Sequence, residues 1–262
     1  MCFGVVIRLE NSVNNFYDGL AEYYHLIFLD WERSIAYQAS VIDSLLKKYG
    51  KTNKDLMLDC ACGIGTQTIG LAKLGYRVSG SDISENAINR ARLEAKKQSL
   101  DIDFCVADFR SLDRHFAGQF DVVIAMDNAL PHLLQNDDLT KALQSIYART
   151  LAGGLFIASI RDYDAVLREK PSCPPPNIIP TALGRRVIFQ IWDWLEKDIY
   201  HFTQYIIEDE NDEPVIHKFG CSYRALTRAA LTGALSLAGF CRVKWIFPKE
   251  SGFYQPMVIA EK

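Results

Sequence analysis

Residues 56–82 read LMLDCACGIGTQTIGLAKLGYRVSGSD. An apolar run ends on an acid, glycines follow, a helix-length stretch comes next, and a second apolar run ends on Asp82. A strand, a glycine-rich turn, a helix and a strand with an acid at its end are typical of a nucleotide-binding unit. The segment therefore predicts the first half of a nucleotide-binding α/β fold.

The chain beyond this segment keeps the same alternation. Further apolar runs read IDFCVAD, FDVVIAMD and GGLFIASI, and helix-length stretches cover Thr66–Lys73, Glu85–Lys97 and 138–151. Strands that alternate with helices indicate a parallel sheet built by crossovers. Continuous apolar strands such as DVVIAM indicate burial on both faces of that sheet. We expect an α/β fold that is doubly wound and Rossmann-like.

The two ends and one insertion complete this expected architecture. Residues 1–50 predict an N-terminal helical cap with one or two helices after Tyr17. The proline-rich stretch PSCPPPNIIP, residues 171–180, predicts a loop, because proline lacks the amide donor. Residues 184–223 hold three β-prone segments with turns at 195–198 and 208–213, which predicts an antiparallel lid.

The C-terminal segment predicts a helix over 227–238 and two strands, CRVKWIF and YQPMVIAEK, which a KESG turn joins into an antiparallel edge. We therefore expect one domain over 1–262. Its seven-stranded sheet is mostly parallel with an antiparallel final strand, and a β-rich lid is inserted after strand five.

Composition limits the classes of partner. The 262 residues carry 29 basic and 32 acidic side chains, a net charge of −3, so no basic field favours nucleic acid. Seven cysteines form an odd set typical of a reduced cytoplasm. Cys60 and Cys62 lack a second pair at zinc spacing, so we expect no metal. The apolar patch in MCFGVVIRLE is too short for a signal or a membrane span, so we expect a cytoplasmic protein without membrane contact, compatible with a homo-oligomer.

The glycine-rich turn differs from the dinucleotide fingerprint. Gly63 and Gly65 would let the turn approach a ligand, since a side chain at either position would occupy the ligand's space. Thr68 stands where the fingerprint has its third glycine, which makes NAD the weaker interpretation. Asp82, 17 residues beyond Gly65, is placed to accept the hydroxyls of an unphosphorylated ribose.

The order D-x-A-C-G-x-G over 59–65 resembles the first motif of the class I S-adenosylmethionine-dependent methyltransferases. The acid at 82, the Ala-Asp-Phe step at 107–109 and the strand FDVVIAMDN fit the same resemblance. It implies S-adenosylmethionine as cofactor, with the demethylated S-adenosylhomocysteine as product. The resemblance assigns the cofactor to Arg33, Asp59, Ala61, Gly63, Gly65, Asp82, Ile83, Asp108, Phe109 and Met126.

The roles within this set also follow from the resemblance. Asp59 and Gly63 would lie under the methionine part, Asp82 would hold the ribose, Asp108 would face the adenine amino group and Phe109 would flank the ring. The alternative is that Asp108 merely caps a turn and that Phe109 belongs to the core.

Further blocks, YDGLAEYY, DWERS, DNALPHLL and RDYD, are similar to the glycine N-methyltransferase and glycine/sarcosine methyltransferase group. By this resemblance Arg33 would bind the methionine carboxylate and Arg161 the substrate carboxylate, which suits a bidentate guanidinium. The alternative for Arg161 is a salt bridge with Asp162 or Asp164.

The same resemblance gives the remaining site residues. Substrate contacts would come from Asn128, His132, Arg161 and Tyr163, and the catalytic set would be His132, Tyr17 and Tyr223. The sequence departs from the group at Asp127, where a glycine is usual, and in bulky lid residues that include Trp192 and Trp194. These departures favour an acceptor larger than glycine.

The resulting expectation is methyl transfer to the amine of a small amino-acid-like substrate by in-line displacement. His132, or a water held by a tyrosine, would take the proton of the amine. An O- or C-methyltransferase acting on another metabolite and a non-catalytic cofactor-binding module stay open as alternatives.

Overall fold

The computed structural model describes residues 13–210 and 213–262. The N-terminal apolar patch, the first twelve residues of the expected helical cap and residues 211–212 of the expected 208–213 turn lie outside the described part. Elements are numbered in chain order.

A seven-stranded sheet forms the centre of the molecule. Its strands are β1 Leu56–Asp59, β2 Arg77–Asp82, β3 Phe104–Val106, β4 Phe120–Ala125, β5 Thr150–Ser159, β10 Cys241–Ile246 and β11 Met257–Glu261. They lie in the order β10-β11-β5-β4-β1-β2-β3. β1 to β5 pair in parallel, and β11 pairs antiparallel with both β5 and β10. The predicted doubly wound, mostly parallel sheet is confirmed.

Helices cover both faces of this sheet. They are α1 Val13–Leu20, α2 Trp31–Lys48, α3 Thr66–Lys73, α4 Glu85–Lys97, α5 Asn136–Arg149, α6 Tyr163–Glu169, α7 Arg228–Ala238 and α8 Pro248–Ser251. Val122 and Ile124 of β4 pack with Leu46 of α2, whereas the alternate Val123 and Ala125 pack with the helices of the other face. Because successive side chains of a strand point to opposite faces, the continuous apolar run of β4 is buried on both.

Helix boundaries follow the expected end signals. The side chains of Asp30, Ser84 and Thr227 cap the N-termini of α2, α4 and α7. Gly239 ends α7 at φ +106°, in the left-handed conformation that favours glycine. The predicted helix over 138–151 instead ends at Arg149, because Thr150 already belongs to β5.

The lid is a separate four-stranded antiparallel sheet, in the order β6-β7-β8-β9. Its strands are β6 Asn177–Thr181, β7 Gly184–Trp194, β8 Ile199–Glu210 and β9 Glu213–Arg224. The predicted loop over 171–180 is wrong for its last four residues, which belong to β6. β6 is an edge strand, where the missing amide of Pro180 interrupts no ladder between two neighbours.

The C-terminal strands pair as predicted, but only one of them lies at the sheet edge. β11 is inserted between β5 and β10 and bonds with both. The KESG stretch is mostly the short helix α8 rather than a simple turn. Among the described residues, no helix is both long and apolar enough to cross a membrane.

Candidate active site

The turn after β1 depends on two glycines for different reasons. Gly63 has φ +53° and Gly65 has φ +94°. A Cβ added to Gly63 would meet nothing within 4 Å, whereas one added to Gly65 would lie 2.9 Å from Ile69 Cδ1. The space beside Gly63 is open, and the approach of a ligand to either glycine stays a prediction. At Gly65 the fold needs the left-handed backbone and close packing against α3.

Two carboxylates hold this turn in place. Asp82 Oδ2 accepts from the Gly63 amide at 2.8 Å and Oδ1 from the Ser84 amide at 3.0 Å. Asp59 Oδ2 accepts from Thr68 Oγ1 at 2.8 Å. Burial raises the pKa of Asp82 and brings the pKa of Asp59 to about 7. Asp82 faces the cavity described next, while Asp59 supports the turn from behind.

A cavity of about 880 Å³ lies over the carboxyl ends of β1, β2 and β4, and we call it the cofactor cavity. Parallel α/β sheets bind ligands at this edge. Its lining includes the predicted cofactor residues Ala61, Gly63, Asp82, Ile83, Asp108, Phe109 and Met126. Arg33, Asp59 and Gly65 are not among the lining residues.

Arg33 is exposed on α2, and its backbone amide donates to Asp30 Oδ1 at the start of the helix. Its contact with the cofactor stays a prediction.

Asp108 caps a turn and also lines the cofactor cavity, while its contact with the adenine amino group stays a prediction. Its Oδ1 accepts from the Arg110 amide at 2.8 Å and so caps the 3-10 helix Phe109–Arg114. Its Oδ2 also lies 2.6 Å from the Arg110 guanidinium, which reaches Asp138 at 3.3 Å. Asp108, Phe109 and Arg110 all line the cofactor cavity. The cap therefore fixes a carboxylate that faces the cavity.

A second cavity of about 2140 Å³ lies between the lid, the N-terminal helices and the ends of β4 and β5, and we call it the acceptor cavity. Its walls are mostly apolar and aromatic, as in small-molecule sites. Among the described residues, Tyr17, Tyr24 and Asp127 line both cavities. We call these three residues, which the two cavities share, the junction.

The turn after β4 carries one of these residues in a strained backbone. Asp127 and Asn128 have φ +54° and +69°, values that are uncommon outside glycine but best tolerated by Asp and Asn. The amide of Asp127 donates to Ser159 Oγ at 2.8 Å, and the amide of Asn128 donates to the Ser159 carbonyl at 3.0 Å. Ser159 at the end of β5 thus holds both residues in place.

Asn128 connects this turn to the segment after β5. Its Oδ1 accepts from the Arg161 amide at 3.0 Å, and its Nδ2 donates to Tyr163 Oη at 2.9 Å. Tyr163 is fully buried and outside the acceptor-cavity lining, whereas Asn128 and Arg161 line it. Of the predicted substrate residues, Tyr163 therefore supports the site from the core.

Arg161 projects into the acceptor cavity against the lid. Its Nη1 donates to Tyr200 Oη at 3.0 Å and its Nη2 to Gln190 Oε1 at 3.2 Å. The guanidinium lies 4.9 Å from the Trp192 ring centroid and 5.2 Å from that of Tyr223. These contacts orient the cation without neutralising it.

The alternative salt bridge for Arg161 is wrong. Asp162 and Asp164 pair with Arg228, at 2.6 Å and 3.2 Å. Within the described ranges 13–210 and 213–262, no carboxylate lies at ion-pair distance from Arg161. The site thus holds a partly buried cation without an anionic partner.

His132 lies at the cofactor cavity in a nearly dry environment. Its Nε2 is 2.8 Å from Tyr17 Oη, and its ring packs 4.2 Å from the ring of Tyr223. Burial and, to a smaller extent, the charge of Arg161 lower the pKa of His132 to about 3, against a hydrogen bond with the Ser222 backbone that raises it. A neutral imidazole whose Nε2 already contacts Tyr17 is suited to orienting that hydroxyl. Its role as proton acceptor stays a prediction.

Sequence reasoning missed the side chains that surround these groups. Gln190 and Tyr200 of the lid bind Arg161, and Gln67 and Tyr254 bind Asp127. A glutamine inside the apolar strand β7 was a usable signal for Gln190. Tyr254 carries no comparable signal, because only the tertiary fold brings it to the turn after β4.

Comparison with known proteins shows what this chain is similar to. Residues 57–154, which run from Met57 in β1 into β5 and include the glycine-rich turn, match the family model described as a methyltransferase domain. This part of the chain is similar to a methyltransferase domain. This result agrees with the resemblance deduced from the motifs.

Relatives extend the likeness beyond that domain. The chain is 33% identical over 139 residues to a glycine/sarcosine N-methyltransferase of Parasynechococcus marenigrum, covering 53% of this chain and 48% of the relative. It is 23% identical over 223 residues to the enzyme of that name from Aphanothece halophytica, covering 80% of this chain and 81% of the relative. The match thus spans about half the length of the first relative.

A solved structure matches nearly the whole chain. The S-adenosylmethionine-dependent methyltransferase from Clostridium acetobutylicum superposes with a TM-score of 0.73 at 15% identity, covering 94% of this chain and 98% of that one. The likeness concerns the fold, including the lid.

The cofactor cavity of the methyltransferase domain fits S-adenosylmethionine. The space over Gly63 is open, so the turn can receive the ligand closely. Asp82 offers a carboxylate to a ribose, and Ile83 and Phe109 offer apolar surface to an adenine ring. The lining thus offers matching chemistry to a ribose and to an adenine ring.

Proposed function

We propose that this protein transfers a methyl group from S-adenosylmethionine to the amine of a small amino-acid-like acceptor by in-line displacement. The observation that carries the proposal is the cation of Arg161, which faces the acceptor cavity without a carboxylate partner. When bound, S-adenosylmethionine supplies the methyl group in an activated, sulfonium-bound form. The chain's own task is to bind and orient the acceptor and to exclude water.

The environment of Arg161 favours a carboxylate ligand. A partly buried charge without a counterion is unfavourable, and a carboxylate supplied by the substrate removes that cost. The planar guanidinium offers several donors in a fixed arrangement that matches a carboxylate. Trp192 and Tyr223 confine it between their rings, so that little freedom is lost on binding.

The arrangement of the two cavities favours transfer to the opposite end of such an acceptor. A molecule held by its carboxylate at Arg161 extends within the acceptor cavity toward the junction. Holding the reacting groups in line at short distance can lower the barrier to a displacement by about 7–11 kcal/mol.

The names of the two glycine/sarcosine N-methyltransferase relatives support an amine with a carboxylate as the acceptor. The apolar and aromatic residues of the acceptor cavity, which include Phe189 and Trp192, support an acceptor with a side chain larger than that of glycine.

The proposal is tested by S-adenosylhomocysteine formation with glycine, sarcosine, dimethylglycine and bulkier amino acids. Each amino acid is paired with the amine that lacks its carboxylate. We expect turnover of at least one amino acid, and a loss in kcat/KM of about 100-fold or more in Arg161→Ala, as for a removed partner of a buried charge pair. Arg185→Ala is the matched control, because Arg185 lies on the lid strand β7, is 62% exposed and pairs with Asp209.

Two results would contradict the proposal. One is equal turnover of the amines with and without a carboxylate. The other is no turnover of any amine by a protein that binds S-adenosylmethionine tightly, which would favour an oxygen or carbon acceptor or a non-catalytic module.

A further inference from the structure

The junction between the two cavities carries one carboxylate. Of its three residues, Tyr17 and Tyr24 are phenols and Asp127 is an acid. Arg161 lines the acceptor cavity but not the cofactor cavity. The acceptor cavity therefore has a cation, Arg161, in its lining and an anion, Asp127, at the junction with the cofactor cavity.

Asp127 is held rigidly but keeps room for another donor. Its Oδ2 accepts from Gln67 Nε2 at 2.8 Å, and its Oδ1 accepts from the Tyr254 hydroxyl. Gln67 is itself fixed by a 2.7 Å hydrogen bond to Gln38 Oε1. Because an ionised carboxylate offers about four acceptor positions, these two bonds leave capacity for a ligand.

The backbone strain of the turn at Asp127 and Asn128 also supports a ligand-binding role. A left-handed backbone at Asp127 and Asn128 costs free energy that the fold offsets through Ser159. Among known proteins, such strain concentrates at ligand-binding positions. The side chain of Asp127 thus has an enforced direction rather than a relaxed one.

Other polar groups near the junction are already committed. Asp82 is bonded to two amides of the cofactor turn and lies outside the acceptor-cavity lining. Asp162 lines the acceptor cavity but pairs with Arg228 at 2.6 Å and does not reach the cofactor cavity. His132 contacts Tyr17 and has a pKa of about 3.

We propose that Asp127 binds the protonated amino group of the acceptor and receives one of its protons before methyl transfer. This inference rests on the proposed function and names the residue that recognises the reacting end of the substrate. One N–H bond of the ammonium breaks, and the proton moves to a carboxylate oxygen of Asp127. The freed nitrogen lone pair then forms the new C–N bond as the C–S bond breaks with its electrons on sulfur. The methylated product carries the positive charge away from a now neutral Asp127.

Asp127→Asn tests the binding step, because asparagine tolerates the left-handed backbone and keeps the size of the side chain. Calorimetric titration of the complex with S-adenosylhomocysteine measures the affinity for glycine, sarcosine and the best-used amino acid. We expect affinity to fall tenfold or more in Asp127→Asn. Asp209→Asn is the matched control, since its carboxylate pairs with Arg185 at 2.7 Å and lies outside the lining of both cavities, and we expect a change below threefold.

The affinity for the cofactor shows whether Asp127 instead binds one of the cofactor's own cationic groups. S-adenosylmethionine carries a sulfonium and an amino group, whereas S-adenosylhomocysteine keeps only the amino group. We expect Asp127→Asn to bind both within threefold of the wild type. Weaker binding of S-adenosylmethionine alone would assign Asp127 to the sulfonium, and weaker binding of both would assign it to the cofactor's amino group. Either result overturns the inference.

Kinetics test the proton transfer. We expect kcat at saturating acceptor to fall at least tenfold in both Asp127→Asn and Asp127→Gly, the second of which relieves the strained backbone. An unchanged kcat in either folded variant overturns the proton step.

If the wild type turns over amino acids through Arg161 but Asp127→Asn binds them normally, only this inference fails. If the wild type neither binds nor methylates any of them, the proposed function fails as well.

Discussion

His132 shows how burial changes what a titratable side chain can do. In water a histidine exchanges protons near neutral pH, but His132 is 8% exposed and its pKa is lowered to about 3. The fold therefore holds it neutral, against the Tyr17 hydroxyl and the ring of Tyr223. Tyr17 belongs to the junction, so this neutral ring positions a hydroxyl between the two cavities.

The depressed pKa of His132 predicts a dependence of stability on pH. Its folded pKa, about 3, lies below the unfolded value of 6.5, so the unfolded chain binds the proton first. The contribution of neutral His132 to the free energy of unfolding is therefore complete above pH 6.5 and is lost as the pH falls toward 3. We expect the difference in free energy of unfolding between wild type and His132→Gln to shrink by about 2 kcal/mol from pH 7.5 to pH 5.

Urea unfolding of both proteins at the two pH values measures this difference. The opposite trend of Asp59, whose pKa is raised to about 7, is present in both proteins and cancels in the comparison. Free energies that fall in parallel would show that His132 does not titrate as its burial requires.

At two helical glycines, Gly70 and Gly233, substitution by alanine should change the stability of the fold in opposite directions. A Cβ on Gly70 of α3 would lie 2.7 Å from both Ala39 Cβ and the Ile35 carbonyl of α2, so Gly70→Ala forces the two helices apart. We expect a destabilisation of about 1–3 kcal/mol. A Cβ on Gly233 of α7 meets nothing within 4 Å, and Gly233→Ala should stabilise the fold by about 0.5–1 kcal/mol.

Chemical denaturation of the two variants beside the wild type measures both changes. Equal effects at the two positions would mean that helix propensity, rather than the α2–α3 contact, decides the outcome at Gly70.

At the scale of elements, local signals predicted what they encode directly. α3 and α4 match their expected bounds, because their caps and the flanking glycine-rich or acid-tipped strands lie in the adjoining sequence. β6 was missed because its pairing with β7 is a tertiary fact, and a strand containing Pro180 is tolerated only at an edge. α5 was extended too far, because the change from helix to strand at Thr150 has no glycine or proline to mark it.

The site residues also divide into those that local sequence signals predict and those that only the tertiary fold brings together. Gly63 and Asp82 were predictable, since the turn and the acid that binds its amide are 19 residues apart in one unit. The partners of Arg161 and Asp127 were not, because β7, β8, α3 and the segment before β11 reach them from distant parts of the chain. Asp127 was noted only as a departure from the related group, and its position at the junction required the structure.

At the scale of the molecule, the lid and the central sheet share one core. Trp192, Phe202 and Tyr223 of the lid belong to the same buried cluster as Val123 and Phe156 of the sheet. A lid that supplies part of the common core is not expected to unfold alone, because its removal would expose the apolar faces of both layers. The single domain expected from the sequence therefore predicts one cooperative transition.

The four tryptophans make this cooperativity measurable. Trp192 and Trp194 report on the lid, while Trp31 on α2 and Trp245 on β10 report on the sheet and its helices. Two double variants, one with phenylalanine at 31 and 245 and the other at 192 and 194, each leave one pair of probes. Within each variant, we expect the fluorescence midpoint in urea to coincide with that of far-ultraviolet circular dichroism.

A ligand at 100 times its Kd should stabilise both halves equally, by about 2.7 kcal/mol. S-adenosylhomocysteine occupies the cofactor cavity, which the lid strands do not line. An equal shift of the midpoints seen by lid and sheet probes would show that binding at one edge of the sheet stabilises the lid through the shared core. If the lid probes showed an earlier transition that the ligand did not shift, the lid would be an independently folding unit. Trp192 would then confine Arg161 only while the lid is folded.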